Sequence, residues 1–246
     1  MLRGLYQATS AMVIAKTRQE MISGNIANAE TPGFKRDDVA EEVFSEAMWV
    51  AELAGRTRPL GTTLTRTALS ASVTDHRQGQ LVESHSPYHL ALSGQGFFVV
   101  QTPLGVRYTR AGDFRIDAQG HVVDARGGRL LLSDRTPLDA RGRQLKILPS
   151  GEVLLDDTPA GQLLLVDFAD LSGLTRDANG QFQGDGLIAV VSQSRVHQFM
   201  LEQSNVNIGE EIVDMLLTNR IFQSAQRIVA TYDQLMERAK EIGSVR

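Results

Sequence analysis

Apolar side chains recur at helical spacing near the N-terminus of the chain. They follow one another at alternating steps of three and four residues: Leu5, Ala8, Met12, Ala15, Gln19, Ile22, Ile26 and Ala29. This heptad pattern is typical of a helix that packs lengthwise against a partner helix. Few large apolar residues lie off the seam, so we expect that this helix cannot bury its stripe alone.

A second long helix is predicted between Gly209 and Gly243, where no proline and no internal glycine occurs. It would be about 50 Å long at 1.5 Å per residue. One apolar stripe comprises Val213, Leu217, Ile221, Ala225, Ile228, Tyr232, Leu235, Ala239 and Ile242, and a second line comprises Met215, Phe222, Val229 and Met236. Together they cover more than half of the helix circumference, more than one partner helix requires. We expect the first stripe to contact the N-terminal helix and the second line to contact another subunit.

The N-terminal helix is predicted to end at a turn. Thr31 precedes a proline, which disfavours the helical conformation. Pro32 and Gly33 suit the two central positions of a type II turn, where the glycine takes a positive φ. Phe34 stands alone among charged residues, and we expect it to hold this corner against a neighbour.

The middle of the chain changes to the two-residue period of β-strands. Residues 75–201 are predicted to form an antiparallel β domain of short strands separated by glycine-rich turns. Residues 37–74 form a connector: residues 40–53 fit either a short helix or a swinging connector, and the threonine-rich residues 56–72 are expected to be extended. The predicted fold class is α+β. The terminal segments 1–36 and 202–246 pair as a coiled coil around the inserted β domain.

Composition excludes several classes of function. The chain of 246 residues contains no cysteine, which excludes disulfides and thiolate chemistry. Its net charge of −4 gives no electrostatic reason to expect nucleic acid as a partner. No apolar run approaches the roughly 20 residues needed to span a bilayer, so no membrane insertion is expected. Residues 4–15 imitate a signal peptide, but their helical spacing continues into a charged region, so we expect no cleavage.

Three groups of residues suggest chemistry, and each fails on spacing. Gly94-Gln95-Gly96 lacks the third glycine of a dinucleotide loop and precedes a strand. Residues 177–186 have Gln181 and Phe182 where a calcium loop needs an oxygen ligand and a glycine, which favours a pair of turns. His85 and His89 are separated by Pro87, so they do not share a helix face with Glu83 as metal ligands. We expect no catalytic, cofactor or metal site and no enzyme activity.

Three motifs occur in the order found in one family. "SGNIAN" (23–28) with "TPGFK" (31–35) resembles the N-terminal signature of bacterial flagellar rod and hook proteins. Residues 78–123 are similar to the middle domain of the rod members, and residues 201–236 resemble their C-terminal helix. The middle segment is most similar to the distal-rod type, with the proximal-rod type as the alternative. His89 and Ala225 stand where these proteins often have aspartate and asparagine.

This resemblance implies a structural subunit of the flagellar basal-body rod that polymerises into a helical tube and transmits motor torque to the hook. Its implied partners are copies of itself, other rod and hook proteins, and the flagellar type III export apparatus, through which it leaves the cytoplasm without signal cleavage. The terminal helices would line the tube, and the β domain would face outward. The alternatives are a hook or hook-junction subunit, or a secreted β-domain enzyme or binding module with helical oligomerisation arms.

Overall fold

The structure is a computed structural model that describes residues 2–44, 47–53, 56–63, 66–177, 180–184, 187–192 and 194–243. Its two long helices are α1, Leu2–Ala27, and α2, Ile208–Gly243. Between them the described residues form short β-strands joined by turns and loops. The predicted α+β class, with one helix at each end and a mostly antiparallel β domain between, is confirmed.

The strands are short, as the closely spaced turn residues predict. In chain order they are β1 Asp37–Phe44, β2 Ala47–Leu53, β3 Arg56–Thr63, β4 Arg66–Thr74, β5 Leu81–Glu83, β6 Leu90–Ser93, β7 Phe97–Thr102, β8 Gly105–Thr109, β9 Arg115–Ile116, β10 Val122–Val123, β11 Arg129–Leu130, β12 Leu145–Ile147, β13 Glu152–Leu155, β14 Thr158–Gln162, β15 Leu165–Phe168, β16 Thr175–Arg176, β17 Phe182–Gln183, β18 Ala189–Val191, β19 Arg195–Gln198 and β20 Met200–Glu202.

The described residues of the connector form β-strands, so the helix considered for residues 40–53 is wrong for residues 40–44 and 47–53. Strand β2 pairs antiparallel with β3 from Ala47↔Thr63 to Leu53↔Arg56. The aromatic and β-branched residues of this segment favour a strand once a neighbouring strand can pair with it. The prediction that residues 56–72 are extended is confirmed by β3 and β4.

The core of the β domain is organised around strand β7. This strand pairs with β8 along one edge and with β11 and β15 along the other, so both of its edges are hydrogen-bonded. Phe98 and Val100 point into one apolar cluster, whereas Phe97 and Val99 point into another. A continuous apolar run such as "FFVV" is what a strand buried on both faces requires.

A repeated turn with the sequence Asp-Ala-x-Gly separates several strands of this domain. It occurs at residues 117–120, 124–127, 139–142 and 177–180. In the first three copies the aspartate Oδ1 accepts the backbone N–H two residues later, at 2.9, 2.9 and 3.2 Å. The glycines have φ values of 93°, 86°, 70° and 72°, a conformation that glycine adopts without a steric penalty.

The chain divides into two compact units. The helical unit comprises residues 1–26, 37–73 and 208–246, and the β unit comprises residues 27–36 and 74–207. Residues 27–36, predicted with the terminal helices, therefore group with the β unit. Within the described ranges, neither α1 nor α2 is long and apolar enough to cross a membrane.

Candidate assembly surfaces and the buried corner

The predicted corner turn lies in the β unit, directly after α1. The N–H of Phe34 donates to the carbonyl oxygen of Thr31 at 3.3 Å, which closes the turn around Pro32 and Gly33. Gly33 has a φ of 67°, as the sequence predicts. A Cβ at Gly33 would lie 2.3 Å from the backbone of Arg110 and Ala111. This position therefore requires glycine both for its conformation and for the close approach of another backbone segment.

The corner is held by the segment that precedes α2. The N–H of Gly33 donates to the carbonyl oxygen of Glu202 at 2.7 Å, and the N–H of Asn205 donates to that of Phe34 at 3.4 Å. The residues after α1 and the residues before α2 are thus joined by main-chain hydrogen bonds. These bonds explain why residues 27–36 belong to the β unit.

A buried ion cluster lies beside this turn. The side chains of Lys35 and Glu202 are each 1% exposed, and Nζ lies 2.5 Å from Oε1. Lys35 Nζ also donates to the carbonyl oxygen of Arg77 at 2.7 Å. Glu202 accepts further hydrogen bonds from the N–H of Gly79 at 2.9 Å and from Arg110 Nη1 at 3.2 Å. Charges in the interior are tolerated only when they are paired and hydrogen-bonded in this way.

Burial and the nearby carboxylate shift the pKa values of the two buried cations, Lys35 and Arg110, in opposite directions. Burial lowers the pKa of Lys35, and the neighbouring Glu202 carboxylate opposes that shift. The Arg110 guanidinium has its pKa lowered for the same reason, again opposed by Glu202. The carboxylate is therefore what keeps two buried cations charged in one place.

Asn205 connects three passes of the chain. Its Oδ1 accepts the N–H of Arg36 at 2.7 Å, and its Nδ2 donates to the carbonyl oxygens of Asp75 at 2.8 Å and Arg77 at 3.2 Å. The N–H of Asp75 in turn donates to the carbonyl oxygen of Arg36 at 2.8 Å. A single amide thus fixes where the chain leaves and re-enters the β unit.

Phe34 is held by its own chain, whereas the sequence led us to expect contact with a neighbour. The Arg176 guanidinium lies 4.5 Å from the centre of the Phe34 ring. Arg176 Nη2 also donates to the carbonyl oxygen of Lys35 at 2.6 Å. A cation over an aromatic face is an attractive contact. The expected contact of Phe34 with a neighbour stays a prediction.

His76 lies in an unfavourable place for a positive charge. Its ring packs against Phe97 and Phe182, with ring centres 5.9 and 5.3 Å away. Burial, with Lys35 and Arg176 next in importance, lowers its pKa to about 4. The imidazole is therefore neutral at physiological pH.

In the helical unit, buried positions of both helices recur every seven residues. They are Ala8, Ala15 and Ile22 in α1 and Glu211, Thr218 and Ala225 in α2, and Asn25 of α1 is buried in addition. Two approaches relate the helices. Asn25 Nδ2 donates to Glu211 Oε2 at 3.4 Å, and a Cβ at Gly4 would lie 2.3 Å from Tyr232 Oη. The first contact joins the end of α1 to the start of α2. The second joins the start of α1 to the C-terminal half of α2.

The structure assigns the two apolar lines of α2 differently from our prediction. In the line expected to contact another subunit, Met215, Phe222 and Val229 are half-buried, and Met236 is 59% exposed. In the stripe expected to contact α1, five residues are about half exposed: Val213, Leu217, Ile221, Ile228 and Leu235. The less exposed residues Glu211, Met215, Thr218, Phe222, Ala225, Val229 and Tyr232 follow steps of four and three, and two of them are polar.

The predicted seam residues of α1 lie on its less exposed side. Ile22 is buried, and Leu5, Met12 and Ile26 are half-buried. The residues of the buried corner and helix seam that sequence reasoning missed are polar: Asn25, Lys35, Arg110, Glu202, Asn205 and Glu211. Of these residues, only Asn25 and Glu211 could have been identified from the sequence, because both occupy heptad positions.

Among the residues considered for chemistry, the carbonyl oxygen of Gly94 accepts a hydrogen bond from Arg110 Nη2 at 2.6 Å. His89 Nδ1 forms a hydrogen bond with Ser84 Oγ at 2.6 Å. Among the described residues, no group of three histidine, aspartate or glutamate side chains is arranged to hold a metal ion. The first turn of residues 177–186 is present, since the N–H of Gly180 donates to the carbonyl oxygen of Asp177 at 2.9 Å. The second turn lies partly outside the described residues.

Comparison with protein families gives three matches along the chain. Residues 5–35 match the model "Flagella basal body rod protein". Residues 91–155 match "Flagellar hook protein FlgE/F/G D1 domain". Residues 197–242 match "Flagellar basal body rod FlgEFG protein C-terminal". The first and third matches include the corner and the helices, and the second includes the core of the β unit.

Curated relatives match over nearly the whole chain. The chain is 29% identical to flagellar basal-body rod protein FlgG of Bacillus subtilis (strain 168) over 264 residues, which covers 96% of this chain and 97% of the relative. Identity is also 29% to FlgG of Agrobacterium fabrum (strain C58 / ATCC 33970), covering 95% and 97%. With flagellar basal-body rod protein FlgF of Caulobacter vibrioides (strain ATCC 19089 / CIP 103742 / CB 15) it is again 29%, covering 96% of each chain.

Proposed function

We infer that this chain, which belongs to the family of flagellar basal-body rod proteins, acts as a structural subunit of the basal-body rod. The observation that carries the mechanism is the row of exposed apolar side chains along α2. Large apolar residues at five positions of one helix stripe need a covering surface, and an assembling subunit supplies that surface from its neighbours.

We propose that α1 and α2 pair as an antiparallel coiled coil within the subunit. The approaches of Asn25 to Glu211 and of Gly4 to Tyr232 are separated by 21 residues in each helix. This equal spacing is what an antiparallel pair without a shift requires. The register then gives the layers Gly4/Tyr232, Ala8/Val229, Ala11/Ala225, Ala15/Phe222, Arg18/Thr218, Ile22/Met215 and Asn25/Glu211. Several layers set a small residue against a large one, as interdigitating packing favours.

The exposed stripe of α2 is the proposed contact between subunits. Its members lie about 100° around the helix from the seam, at 100° per residue. A contact between this stripe and a different surface of the next copy is heterologous, and repeated heterologous contacts generate an open helical filament. Such a filament is the form that a rod transmitting torque to the hook would take.

The proposal has a direct test in the cell. Ile221→Asp places a carboxylate in the exposed stripe, and burying it unpaired in the assembly costs several kcal/mol. We expect export to continue and incorporation into basal bodies to fail. Gln223→Asp changes a residue that is equally exposed but lies off the stripe, and cells with this control should swim. Normal incorporation of the Ile221→Asp subunit would show that this stripe faces solvent in the rod.

Family membership supports a place in the flagellar basal body, and we propose a route of export to it. Members of this family are basal-body rod proteins, and we place the subunit in the basal body with copies of itself and other rod and hook proteins. We propose that the flagellar type III apparatus exports it without cleavage, since Ala8 and Ala15 are buried members of α1 that a cleaved signal would remove. Within the rod we favour the distal type, with the proximal type or a hook-junction subunit as alternatives.

A further inference from the structure

Asn25 is a buried side chain that connects three elements of the helical unit. It is 2% exposed. Its Oδ1 accepts the N–H of Asp37 at 3.0 Å, and its Nδ2 donates to the carbonyl oxygen of Asp37 at 2.8 Å and to Glu211 Oε2 at 3.4 Å. The oxygen and both N–H groups of the amide are therefore in use. The side chain joins the end of α1, the start of β1 and the first turn of α2.

Burial of the Glu211 carboxylate at this point of the fold is energetically unfavourable. Glu211 is 1% exposed, and a buried carboxylate is tolerated only with hydrogen-bond donors around it. Asn25 supplies one such donor. Glu211 lies in the first turn of α2, where the positive end of the helix dipole also favours a negative charge. Any shift of α1 along α2 would remove Asn25 from this carboxylate.

The remaining layers of the proposed seam discriminate poorly between registers. Ala8, Ala11 and Ala15 are small, so each accepts a variety of partners on α2. A shift of seven residues would bring Arg18 opposite Glu211 in place of Asn25. That alternative pairs a cation with the same carboxylate, so charge and apolar packing by themselves leave a competing alignment.

We propose that Asn25 and Glu211 form a register lock that fixes the alignment of α1 against α2. The proposal rests on the helix pairing inferred under the proposed function. Asn25 also bonds both main-chain groups of Asp37, which orients its side chain at the end of α1. A shift of one heptad, about 10.5 Å, would separate this side chain from Glu211. Single polar residues at seam positions set register in coiled coils in this way. Asn25 is a positioning residue, which selects one alignment and adds little to its stability.

The absence of cysteine makes the register measurable in the full-length chain. Ala11→Cys with Ala225→Cys reports the native layer, and Ala11→Cys with Thr218→Cys reports the alignment shifted by one heptad. A disulfide forms only when the two Cα atoms come within about 7 Å. In the otherwise unchanged chain, we expect the native pair to oxidise and the shifted pair to remain reduced.

Asn25→Leu removes the lock while it keeps a seam residue of similar size. We expect the shifted pair to gain disulfide about tenfold, the effect of losing one buried hydrogen bond. Glu211→Leu removes the other half of the lock and should act alike. Ser23→Leu makes the same change of polarity at an exposed residue of α1, and it should leave only the native disulfide. Circular dichroism checks that each variant retains its helices.

The possible outcomes distinguish the register lock from the pairing of α1 with α2. If both lock variants keep only the native disulfide, apolar packing sets the register and the lock is wrong. If they lose both disulfides, Asn25 stabilises the pairing as such, and the lock is again wrong. If the otherwise unchanged chain forms neither disulfide, the helices do not pair as proposed, and the proposed function loses its mechanism together with the lock.

Discussion

Lys35 and Glu202 are 167 residues apart in the chain, and their charged groups meet at 2.5 Å with both side chains 1% exposed. The pair lies between the turn that follows α1 and the strand that precedes α2. Arg110 joins the same carboxylate at 3.2 Å. Removal of Glu202 would therefore leave two buried cations without their anion, and removal of Lys35 would take away the closest partner of the carboxylate. The segment that follows α1 and the segment that precedes α2 are thus joined within the β unit.

Lys35→Met is expected to lower the free energy of unfolding by about 1.5–3 kcal/mol, because buried Glu202 loses its closest hydrogen-bond donor and keeps Arg110. Urea unfolding of the full-length subunit measures this. Lys146→Met is the matched control, since Lys146 lies 3.7 Å from Asp157 with both side chains more than half exposed. Its effect should stay within about 0.5 kcal/mol. Equal effects of the two substitutions would contradict a structural role for the buried cluster.

Gly33→Ala should destabilise the β unit by more than the roughly 1–2 kcal/mol that a left-handed conformation costs. The added Cβ would meet the backbone of Arg110 at 2.3 Å, and a main chain yields less easily than a flexible side chain. Gly24→Ala is the control, because that position in α1 has open space around it. There the change should stabilise the helix by about 0.5–1 kcal/mol. Thermal unfolding of both variants checks the difference in sign.

The stability of the β unit should fall as the pH is lowered from 7 to 5. The folded-state pKa of His76 is about 4, below its ordinary value of 6.5. Between these values the unfolded chain binds the proton more strongly, so stability rises with pH. The contribution of neutral His76 is complete above pH 6.5 and is lost as the pH falls through this window.

Replacement of the imidazole isolates this effect. His76→Gln should flatten the dependence of unfolding free energy on pH between 7 and 5. His85→Gln removes an exposed histidine and should leave the dependence as it is. If the unfolding free energy of the His76→Gln variant depends on pH as strongly as that of the unchanged chain, groups other than the buried imidazole cause the dependence.

Phe222→Asp should destabilise the lone subunit, although the sequence led us to expect Phe222 to contact another subunit. Phe222 is half-buried on the seam side of α2, and a carboxylate there is expected to cost about 1–3 kcal/mol. Loss of helical signal on heating, followed by circular dichroism, should occur at a lower temperature than in the Ile221→Asp variant. If the two variants unfold alike, Phe222 does not lie in a seam.

The sequence by itself determined the elements of this protein. Heptad spacing predicts both long helices, the two-residue period predicts the β domain, and Pro32-Gly33 predicts the turn with a positive φ. These features depend on local conformational preferences and on apolar periodicity, which are properties of neighbouring residues. The same information left residues 40–53 open between helix and strand, because pairing with β3 decides that segment.

Only the tertiary structure decided which side of α2 is covered and which polar residues are buried. The buried residues of α2 include Glu211 and Thr218, so an apolar pattern alone does not identify its less exposed side. Lys35, Arg110 and Glu202 look like ordinary surface residues in the sequence, because charged side chains are normally exposed. Their burial depends on the exact meeting of segments more than 90 residues apart, and that pairing of distant charges is a property of the folded chain alone.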